Sequence, residues 1–372
     1  MNNLRVAILC YPTFGGSGVI ATELAHALAC RGHTVHLLSY ASPSRLRTYT
    51  PNLRFHLVQV SSYPLFKYPS YDLALAAQII DIAENEGLDI VHAHYAIPHS
   101  ISSILAARVC EDHPFRVITT LHGTDITLIG SERSYVPLIR FALRRSDAVT
   151  AVSEFLKSET VSIFGNGYDI RLIPNFIDTE LFRPRIPSRD PFASPTLAHI
   201  SNFRPVKRTM DLIHVFANVR ERIDARLLLI GDGPELTCVQ QLASKLGLTR
   251  HISFLGQQTD IVAILEHADL FLLTSETESF GLSALEALGC GVPAVCTRVG
   301  GVSEVIEHER SGILCELGNI SEMADACVAV LMDPPRYRAM RLHARERAML
   351  FRTENIVPQY LDLYSELMES NS

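Results

Sequence analysis

Two glutamates eight positions apart, Glu278 and Glu286, have the type and spacing that most favour chemistry in this sequence. Glu278 lies beside a Ser-Phe-Gly turn, and Glu286 lies on an Ala- and Leu-rich run that predicts a helix. A predicted strand, Asp269–Leu273, leads directly into the turn. The carboxylates are therefore expected at the carboxyl end of a strand, where open α/β sheets bind their ligands.

The separation of this pair indicates ligand binding rather than acid-base catalysis. If the interval is mostly helical, the carboxylates are roughly 8–12 Å apart along the axis, whereas an acid and a base that act on one glycosidic bond lie within about 10 Å on opposite sides of it. The N–H groups of Phe280, Gly281 and Leu282 would form a helix N-terminus that attracts anions. The alternative is a surface helix with two solvated glutamates.

Three cations follow the predicted strand Thr196–Ile200: Arg204, Lys207 and Arg208. Guanidinium groups and a lysine point charge at the end of a strand could bind a diphosphate. A charge run of this kind is also typical of a solvated face, and the sequence leaves both interpretations open.

A glycine-rich loop, Gly15-Gly16-Ser17-Gly18, lies between a predicted strand at 5–11 and a predicted helix at Val19–Cys30. Such glycines let a phosphate approach the backbone, and with Ala21 they fit the dinucleotide fingerprint. The next strand, Thr34–Tyr40, lacks the acidic residue that would hold an adenosine ribose. NAD binding, and with it an oxidoreductase activity, is therefore disfavoured.

Histidines form the remaining candidate group. His122 ends a predicted strand at 116–122 and could either hydrogen-bond a sugar or be a satisfied core residue. His92, His94 and His99 resemble a metal-ligand cluster, but no Asp or Glu accompanies them and His99 lies beyond a proline. We therefore predict no metal site.

The composition indicates an ordinary globular protein of 372 residues, 47% hydrophobic and 20% charged, which is long enough for two domains. A net charge of −7 argues against a nucleic-acid partner. No basic amphipathic segment stands out, and no apolar run approaches the ~18 residues of a membrane span, so no membrane partner is expected. The start has no signal-peptide pattern, and the eight cysteines form no C-x-x-C pair, so a cytoplasmic location with reduced thiols is expected.

Alternating strand and helix patterns predict two doubly wound parallel sheets of an α/β protein. A Pro-rich segment, 182–191, reads as the linker between them. We predict an N-terminal Rossmann-like domain at 1–175, with a C-terminal helix at 355–372 packed back on it. The second Rossmann-like domain is predicted at 176–354.

These motifs together resemble the retaining GT-B glycosyltransferases of the family-4 type. The resemblance rests on the spaced glutamates, the basic loop, the glycine loop and the twin-Rossmann layout, and it covers nearly the whole chain. Several longer strings narrow it to the branch that transfers N-acetylglucosamine from UDP-N-acetylglucosamine to L-malate in bacillithiol biosynthesis. These strings are Cys10-Tyr11-Pro12 with Gly15-Gly16-Ser17-Gly18, Phe66-Lys67-Tyr68-Pro69, His94-Tyr95-Ala96-Ile97-Pro98-His99, His122-Gly123-Thr124-Asp125-Ile126-Thr127 and Ser201-Asn202-Phe203-Arg204.

The resemblance implies two Rossmann-like domains that face a central cleft and use no cofactor. It places Glu278 on the sugar hydroxyls, Glu286 on the ribose, and His122 near the sugar 6-hydroxyl. Arg204 with Lys207 or Arg208 would neutralise the diphosphate, aided by N–H groups of the Glu278 turn and of Gly16. The dicarboxylate acceptor needs cations and hydroxyls from the first domain, for which the candidates are Ser17, Tyr95, Thr120, Arg140, Lys67 and Arg45.

Three alternatives to this function are a GT-B enzyme with another acceptor (a sugar phosphate, inositol phosphate or lipid), an NAD-dependent oxidoreductase, and a non-catalytic nucleotide-sugar-binding protein. A homo-oligomer is possible.

Overall fold

A computed structural model describes residues 3–12, 15–60, 70–128, 132–184 and 192–369. The chain divides into two compact units. Unit 1 comprises Met1–Pro174 and Glu354–Ser372, and unit 2 comprises Asn175–Thr353. The predicted boundary after residue 175 and the division after Pro174 differ by one residue.

Unit 1 contains a parallel sheet of seven strands within the described residues, in the order β3-β2-β1-β4-β5-β6-β7. The strands are β1 Arg5–Leu9, β2 Thr34–Ser39, β3 Leu53–Leu57, β4 Ile90–His94, β5 Arg116–Leu121, β6 Ala148–Ala151 and β7 Ile170–Leu172. The helices are α1 Gly16–Cys30, α2 Tyr71–Asn85, α3 Ile101–Val109, α4 Val136–Arg145 and α5 Glu154–Phe164, together with α13 Thr353–Glu369 near the end of the chain.

Unit 2 contains a parallel sheet of six strands within the described residues, in the order β10-β9-β8-β11-β12-β13. The strands are β8 Thr196–Ile200, β9 Arg226–Ile230, β10 Ile252–Gly256, β11 Leu270–Leu273, β12 Ala294–Thr297 and β13 Gly312–Cys315. The helices are α6 Thr209–Arg220, α7 Leu236–Lys245, α8 Ile261–Leu265, α9 Leu282–Gly289, α10 Val302–Val305, α11 Ile320–Leu331 and α12 Pro334–Met349.

Hydrophobic runs explain why the central strands lie inside. All of β11 is buried, and so are Val6 to Leu9 of β1, because a parallel sheet is covered by helices on both faces. The helices begin where the sequence supplies caps. Ser153 accepts a hydrogen bond from the N–H of Leu156 at the start of α5, and Asp333 caps the start of α12 in the same way.

Each sheet reverses its strand order at one point, between β1 and β4 in unit 1 and between β8 and β11 in unit 2. The carboxyl ends of the strands beside such a reversal form the crevice in which open α/β sheets bind ligands. The glycine-rich segment follows β1, and Tyr95 follows β4. The segment that carries Arg204, Lys207 and Arg208, called the cationic loop below, follows β8, and Glu278 lies in the turn after β11.

The main differences from the predicted elements concern helix α1, strand β7 and helix α5. Helix α1 begins at Gly16 and not at Val19, so the last three residues of the glycine segment form its first turn. Strand β7 and helix α5 were not predicted; β7 has only three residues, two of them exposed, and gives too short a hydrophobic signal.

Helix α13 belongs to unit 1 from Glu354 onward. Its Tyr364 hydroxyl lies 2.7 Å from Nδ1 of His92 on β4, and its Glu366 forms an ion pair with Arg171 on β7. None of the described helices is both long and apolar enough to cross a membrane.

Candidate active site

The first cluster of the candidate site, in unit 2, is an ion pair between two segments far apart in sequence. Lys207 Nζ lies 2.5 Å from Oε1 of Glu278, and the Ser275 hydroxyl donates to the same oxygen at 2.8 Å. Both charged side chains are mostly buried, with 20% of Lys207 and 14% of Glu278 exposed. The bond orients the ammonium group and the carboxylate toward each other at the strand-order reversal of the second sheet.

Backbone contacts hold the cationic loop against the end of β11. The Thr274 hydroxyl donates to the carbonyl oxygens of Lys207 and Arg208, at 3.0 and 3.2 Å. The N–H of Glu276 donates to the carbonyl of Val206 at 2.8 Å. The position of the lysine is therefore set by the same turn that carries Glu278.

The other two cations of the loop have different surroundings. Arg208 has a left-handed backbone, with φ of 47°, and its guanidinium pairs with Asp211 on α6 at 2.6–2.7 Å. Arg204 is exposed. The loop is therefore not a uniformly solvated charged face: Lys207 is directed to the Glu278 turn, Arg208 to α6, and Arg204 to solvent.

The glycine turn after β9, which contains Gly231 and Gly233, packs closely against the backbone that leads into the cationic loop. Gly231 has a φ of +124°, and a Cβ there would lie 1.8 Å from the Ser201 carbonyl oxygen. A Cβ at Gly233 would lie 1.9 Å from the Asn202 carbonyl oxygen. Only glycine lets the two turns approach this closely.

We expect Gly231→Ala to destabilise the protein by roughly 2–4 kcal/mol, because it combines an unfavourable φ with a backbone clash. Urea unfolding checks this. Gly167→Ala is the matched control, since Gly167 is exposed and a Cβ there would meet nothing within 4 Å; its stability should change by less than about 0.5 kcal/mol. Equal stability of the two variants would contradict the role assigned to the close approach.

Glu286 does not lie on a solvated surface. Helix α9 begins at Leu282 after Gly281, whose φ is 94°, and Glu286 in its middle is only 3% exposed. Phe280 is also buried and packs edge-on against Phe351 with ring centroids 5.7 Å apart. The alternative of a surface helix with two solvated glutamates is therefore wrong.

The second cluster, in unit 1, begins with the first turn of α1. Gly15 is the residue before the helix, and Gly16 and Ser17 lie in its first turn, where backbone N–H groups have no partner within the helix. Ser17 is buried and Gly16 is partly exposed. This turn follows β1 and has the positive end of the helix dipole that attracts an anion.

Tyr95 and His122 follow the neighbouring strands β4 and β5, and their ring centroids are 5.5 Å apart. Tyr95 has a φ of 98°, and its ring also contacts Tyr11 after β1 at 5.3 Å. Both side chains are partly exposed. The predicted acceptor residue Tyr95 and the predicted sugar contact His122 are thus brought together.

Asp125 fastens the loops that carry these two residues. Its buried carboxylate accepts hydrogen bonds from the N–H groups of Ala96, at 3.0 Å, and of Gly123 and His122, at 2.9 and 3.3 Å. Burial raises the pKa of this carboxyl to about 6. Asp125 was not among the predicted residues, because its hydrogen bonds to Ala96, His122 and Gly123 join two loops that only the folded chain brings together.

The histidines of β4 form a packed interior group. His92 lies between the hydroxyls of Tyr364 and Thr120, at 2.7 and 2.6 Å, and its ring stacks on His94. Nδ1 of His99 bonds the His94 carbonyl at 2.6 Å. Among the described residues, no three His, Cys, Asp or Glu side chains are arranged to hold a metal ion.

We expect these histidines to make the folded protein less stable in acid. Burial lowers the pKa of His92 to about 3 and of His99 to about 4, and it also lowers the pKa of His94 and His122. Between pH 6.5 and about 4 the unfolded chain therefore binds more protons than the folded protein, so stability falls as the pH falls. Asp125 acts in the opposite direction between about pH 6 and 4, but it is one group against four.

We expect the melting temperature to be lower at pH 4.5 than at pH 7 by roughly 10 °C. Scanning calorimetry on a pH series, with re-titration to pH 7 as the reversibility control, checks this. A melting temperature that stays constant or rises between pH 7 and 4.5 would contradict it.

The prediction that Thr120 binds the acceptor is wrong, because the side chain of Thr120 is fully buried. Its hydroxyl bonds Nε2 of His92 and the Thr150 hydroxyl, at 2.6 and 2.7 Å. Both faces of β5 are buried, so the hydroxyl serves the packing of α13 and the sheet and is not available to a ligand.

The remaining residues predicted to bind the acceptor are Arg45, Arg140 and Lys67. Arg45 lies half-buried in the loop after β2. Arg140 is exposed on α4, where it lines a surface cavity of about 330 Å³ with Pro137, Phe141, Arg144 and Arg145. This helix is basic and amphipathic, with Leu138 and Phe141 exposed, contrary to the expectation that no such segment exists. Lys67 and its string Phe66-Lys67-Tyr68-Pro69 lie outside the described residues.

Comparison with known proteins decides the family. The chain is 44% identical over 375 residues to N-acetyl-alpha-D-glucosaminyl L-malate synthase of Bacillus anthracis, an alignment that covers 99% of this chain and 98% of the relative. The chain belongs to the glycosyltransferase family. The family model described as glycosyltransferase family 4 matches residues 14–181 of this glycosyltransferase, and the model described as glycosyl transferases group 1 matches residues 185–347.

Solved glycosyltransferase structures agree with the fold. Sucrose-phosphate synthase of Thermosynechococcus elongatus matches with a TM-score of 0.83 at 21% identity, covering 99% of this chain and all of that one. HepE of Anabaena, solved with UDP and glucose, matches with a TM-score of 0.82 at 20% identity, covering 98% of this chain and all of that one. The predicted GT-B class of the fold, with two parallel-sheet α/β units, is confirmed.

Proposed function

We propose that this glycosyltransferase moves N-acetylglucosamine from UDP-N-acetylglucosamine to the 2-hydroxyl of L-malate, with retention at the anomeric carbon. The observation that carries the proposal is the 44% identity, over essentially full length on both sides, to the synthase of Bacillus anthracis. The reaction would be the first step of bacillithiol biosynthesis.

The bond changes are those of a front-face displacement. The bond between the anomeric carbon and the β-phosphate oxygen breaks, and a bond from that carbon to the malate 2-oxygen forms on the same face. The leaving phosphate oxygen takes the proton of the malate hydroxyl, so UDP departs and no side chain need act as a nucleophile. The rate then depends on positioning and on preorganised charge.

The unit 2 cluster supplies that charge to the donor. Lys207 and the exposed Arg204 neutralise the diphosphate. Lys207 is the principal cation of the pair 207 and 208 because its partner is Glu278 itself, whereas the Arg208 guanidinium is directed to Asp211 on α6. Glu278, held by Lys207 and Ser275, accepts hydrogen bonds from the sugar hydroxyls. Glu286 holds the ribose, and the N–H groups at Phe280, Gly281 and Leu282 contribute to anion binding.

The unit 1 cluster serves the sugar and the acceptor. His122 contacts the transferred sugar near its 6-hydroxyl. Ser17, the first turn of α1 and Tyr95 contribute to binding malate, and Arg140, Arg45 and Lys67 are the candidate partners for its carboxylates. Two carboxylates on the acceptor require such cations, because an unpaired anion is costly to desolvate.

The experiment is a donor and acceptor panel followed by UDP release. We expect UDP from UDP-N-acetylglucosamine only when L-malate is present, with inositol phosphate and D-malate as control acceptors. Equal release with inositol phosphate and none with L-malate would assign another acceptor. No UDP with any acceptor would favour a nucleotide-sugar-binding protein.

A metal requirement is not part of the proposal. We expect EDTA to leave the rate of UDP release unchanged, because Lys207 and Arg204 provide the positive charge that a divalent ion would otherwise supply. The control adds excess Mg²⁺ after EDTA. Loss of activity with EDTA that Mg²⁺ restores would contradict this part of the account. The cytoplasmic location and a possible homo-oligomer stay predictions.

A further inference from the structure

His94 lies directly behind His122, the residue assigned to the transferred sugar. Nδ1 of His94 is 2.8 Å from Nε2 of His122, and the two ring planes are inclined by only 24°, with centroids 5.0 Å apart. His94 is fully buried, whereas His122 is partly exposed. One ring must donate the proton of this bond, and which one donates decides the protonated nitrogen that His122 presents to a ligand.

The other ring nitrogen of His94, Nε2, decides which of the two rings donates the hydrogen bond. Its Nε2 is buried and has no hydrogen-bond partner among the described residues. If Nε2 carried the proton, a buried N–H would be orphaned, which proteins avoid more strictly than a bare acceptor. The proton therefore lies on Nδ1 of His94, which donates to Nε2 of His122.

The neighbouring histidines do not offer His94 another partner. Both nitrogens of His92 are occupied by the hydroxyls of Tyr364 and Thr120. Nδ1 of His99 faces the His94 carbonyl, which can only accept, so His99 carries its proton on Nδ1 and leaves Nε2 bare. Nε2 of His94 and Nε2 of His99 therefore both lie buried without a proton. Burial also lowers the pKa of His94 and keeps that ring neutral.

We infer that His94 is a positioning residue that holds His122 as the Nδ1–H tautomer. Resting on the proposed function, this makes His122 a neutral donor to a hydroxyl oxygen of the transferred sugar. In most exposed neutral histidines the proton prefers Nε2, so the tautomer here is imposed from behind. Nδ1 of His122 has no hydrogen bond among the described residues and remains for the ligand.

Nitrogen-15 NMR on the ¹⁵N-histidine-labelled full chain tests the tautomer without any substrate. The pattern of two-bond ¹H–¹⁵N correlations identifies the protonated nitrogen, and the His122 signals are assigned by their loss in His122→Gln. We expect Nδ1–H in the unaltered protein and in His94→Asn, whose amide nitrogen occupies the position of Nδ1. We expect Nε2–H in His94→Leu. An Nε2–H tautomer in the unaltered protein would overturn the inference, even if His94→Leu failed to fold.

A kinetic comparison separates positioning from a general structural defect. The ratio of kcat/KM for UDP-N-acetylglucosamine to kcat/KM for its 6-deoxy analogue should fall about tenfold in His94→Leu and stay unchanged in His94→Asn. A structural defect alone would lower both rates equally and leave the ratio unchanged, which would count against the inference. If the unaltered protein did not use UDP-N-acetylglucosamine, the proposed function would fail while the NMR result still stood.

Discussion

Glu278→Gln should lower kcat on the order of 100-fold and leave the fold intact. The amide oxygen still accepts the hydrogen bonds of Ser275 and Lys207, which both go to Oε1, so the melting temperature should change little. In the role proposed for Glu278, the substitution loses the charge that polarises the sugar hydroxyls as positive charge develops at the anomeric carbon. A preorganised electrostatic contact of this kind contributes about 10²–10³ to the rate. Steady-state UDP release, with melting curves on both proteins, measures the effect.

Glu276→Gln is the matched control for this prediction. Glu276 lies two positions before Glu278, but its side chain is exposed and only its backbone contacts the cationic loop. It should retain the activity of the unaltered protein. We expect Glu286→Gln to act mainly on the KM for the donor, because ribose contacts contribute to binding in the ground state and the transition state alike. If both Glu278→Gln and Glu286→Gln changed only KM, and by the same factor, the roles assigned to the two glutamates would be wrong.

Lys207→Met should lower kcat/KM for UDP-N-acetylglucosamine on the order of 100-fold. The substitution removes the ammonium that we propose neutralises the leaving diphosphate, and it also leaves the Glu278 carboxylate without its 2.5 Å partner. Calorimetric titration with UDP should show weaker binding as well. Arg208→Met should cost much less, because the Arg208 guanidinium is directed to Asp211 on α6 and not to the Glu278 turn.

Two further variants decide between a direct and an indirect effect of Lys207. Lys245→Met, at the exposed end of α7, controls for the loss of a positive charge and should leave kcat/KM unchanged. Lys207→Met with Glu278→Gln should cost less than the sum of the single changes, since residues in one ion pair are not independent. A larger loss in Arg208→Met than in Lys207→Met would reverse the assignment of the two cations.

The architecture was predictable because it depends on signals that repeat along the chain. Short apolar runs alternating with helical patterns predict parallel strands with helices on both faces, and the polar residues that follow β8 and β11 were expected at the ligand-binding edge. Strand β7, with one buried residue in three, gives no such signal.

The site was predictable only as far as residue type and local spacing decide it. The choice between Lys207 and Arg208 depends on a left-handed backbone at Arg208 and on a contact with Glu278 that spans 71 positions. Thr119 and Thr120 are adjacent, chemically alike and both fully buried, so no pattern showed that the Thr120 hydroxyl would be used in the core. Asp125 and Ser275 act through backbone and side-chain hydrogen bonds that only the folded chain brings together.

The central claim, retaining transfer to malate, is tested most directly by the structure of the product. The unaltered protein is incubated with UDP-N-acetylglucosamine and ¹³C-labelled L-malate, and the product is analysed by NMR. The account predicts one product in which the sugar C1 is bonded to the malate 2-oxygen, with the small anomeric coupling of an α-glycoside. A β-glycoside, a sugar ester on a malate carboxylate, or UDP release with no sugar attached to malate would contradict it.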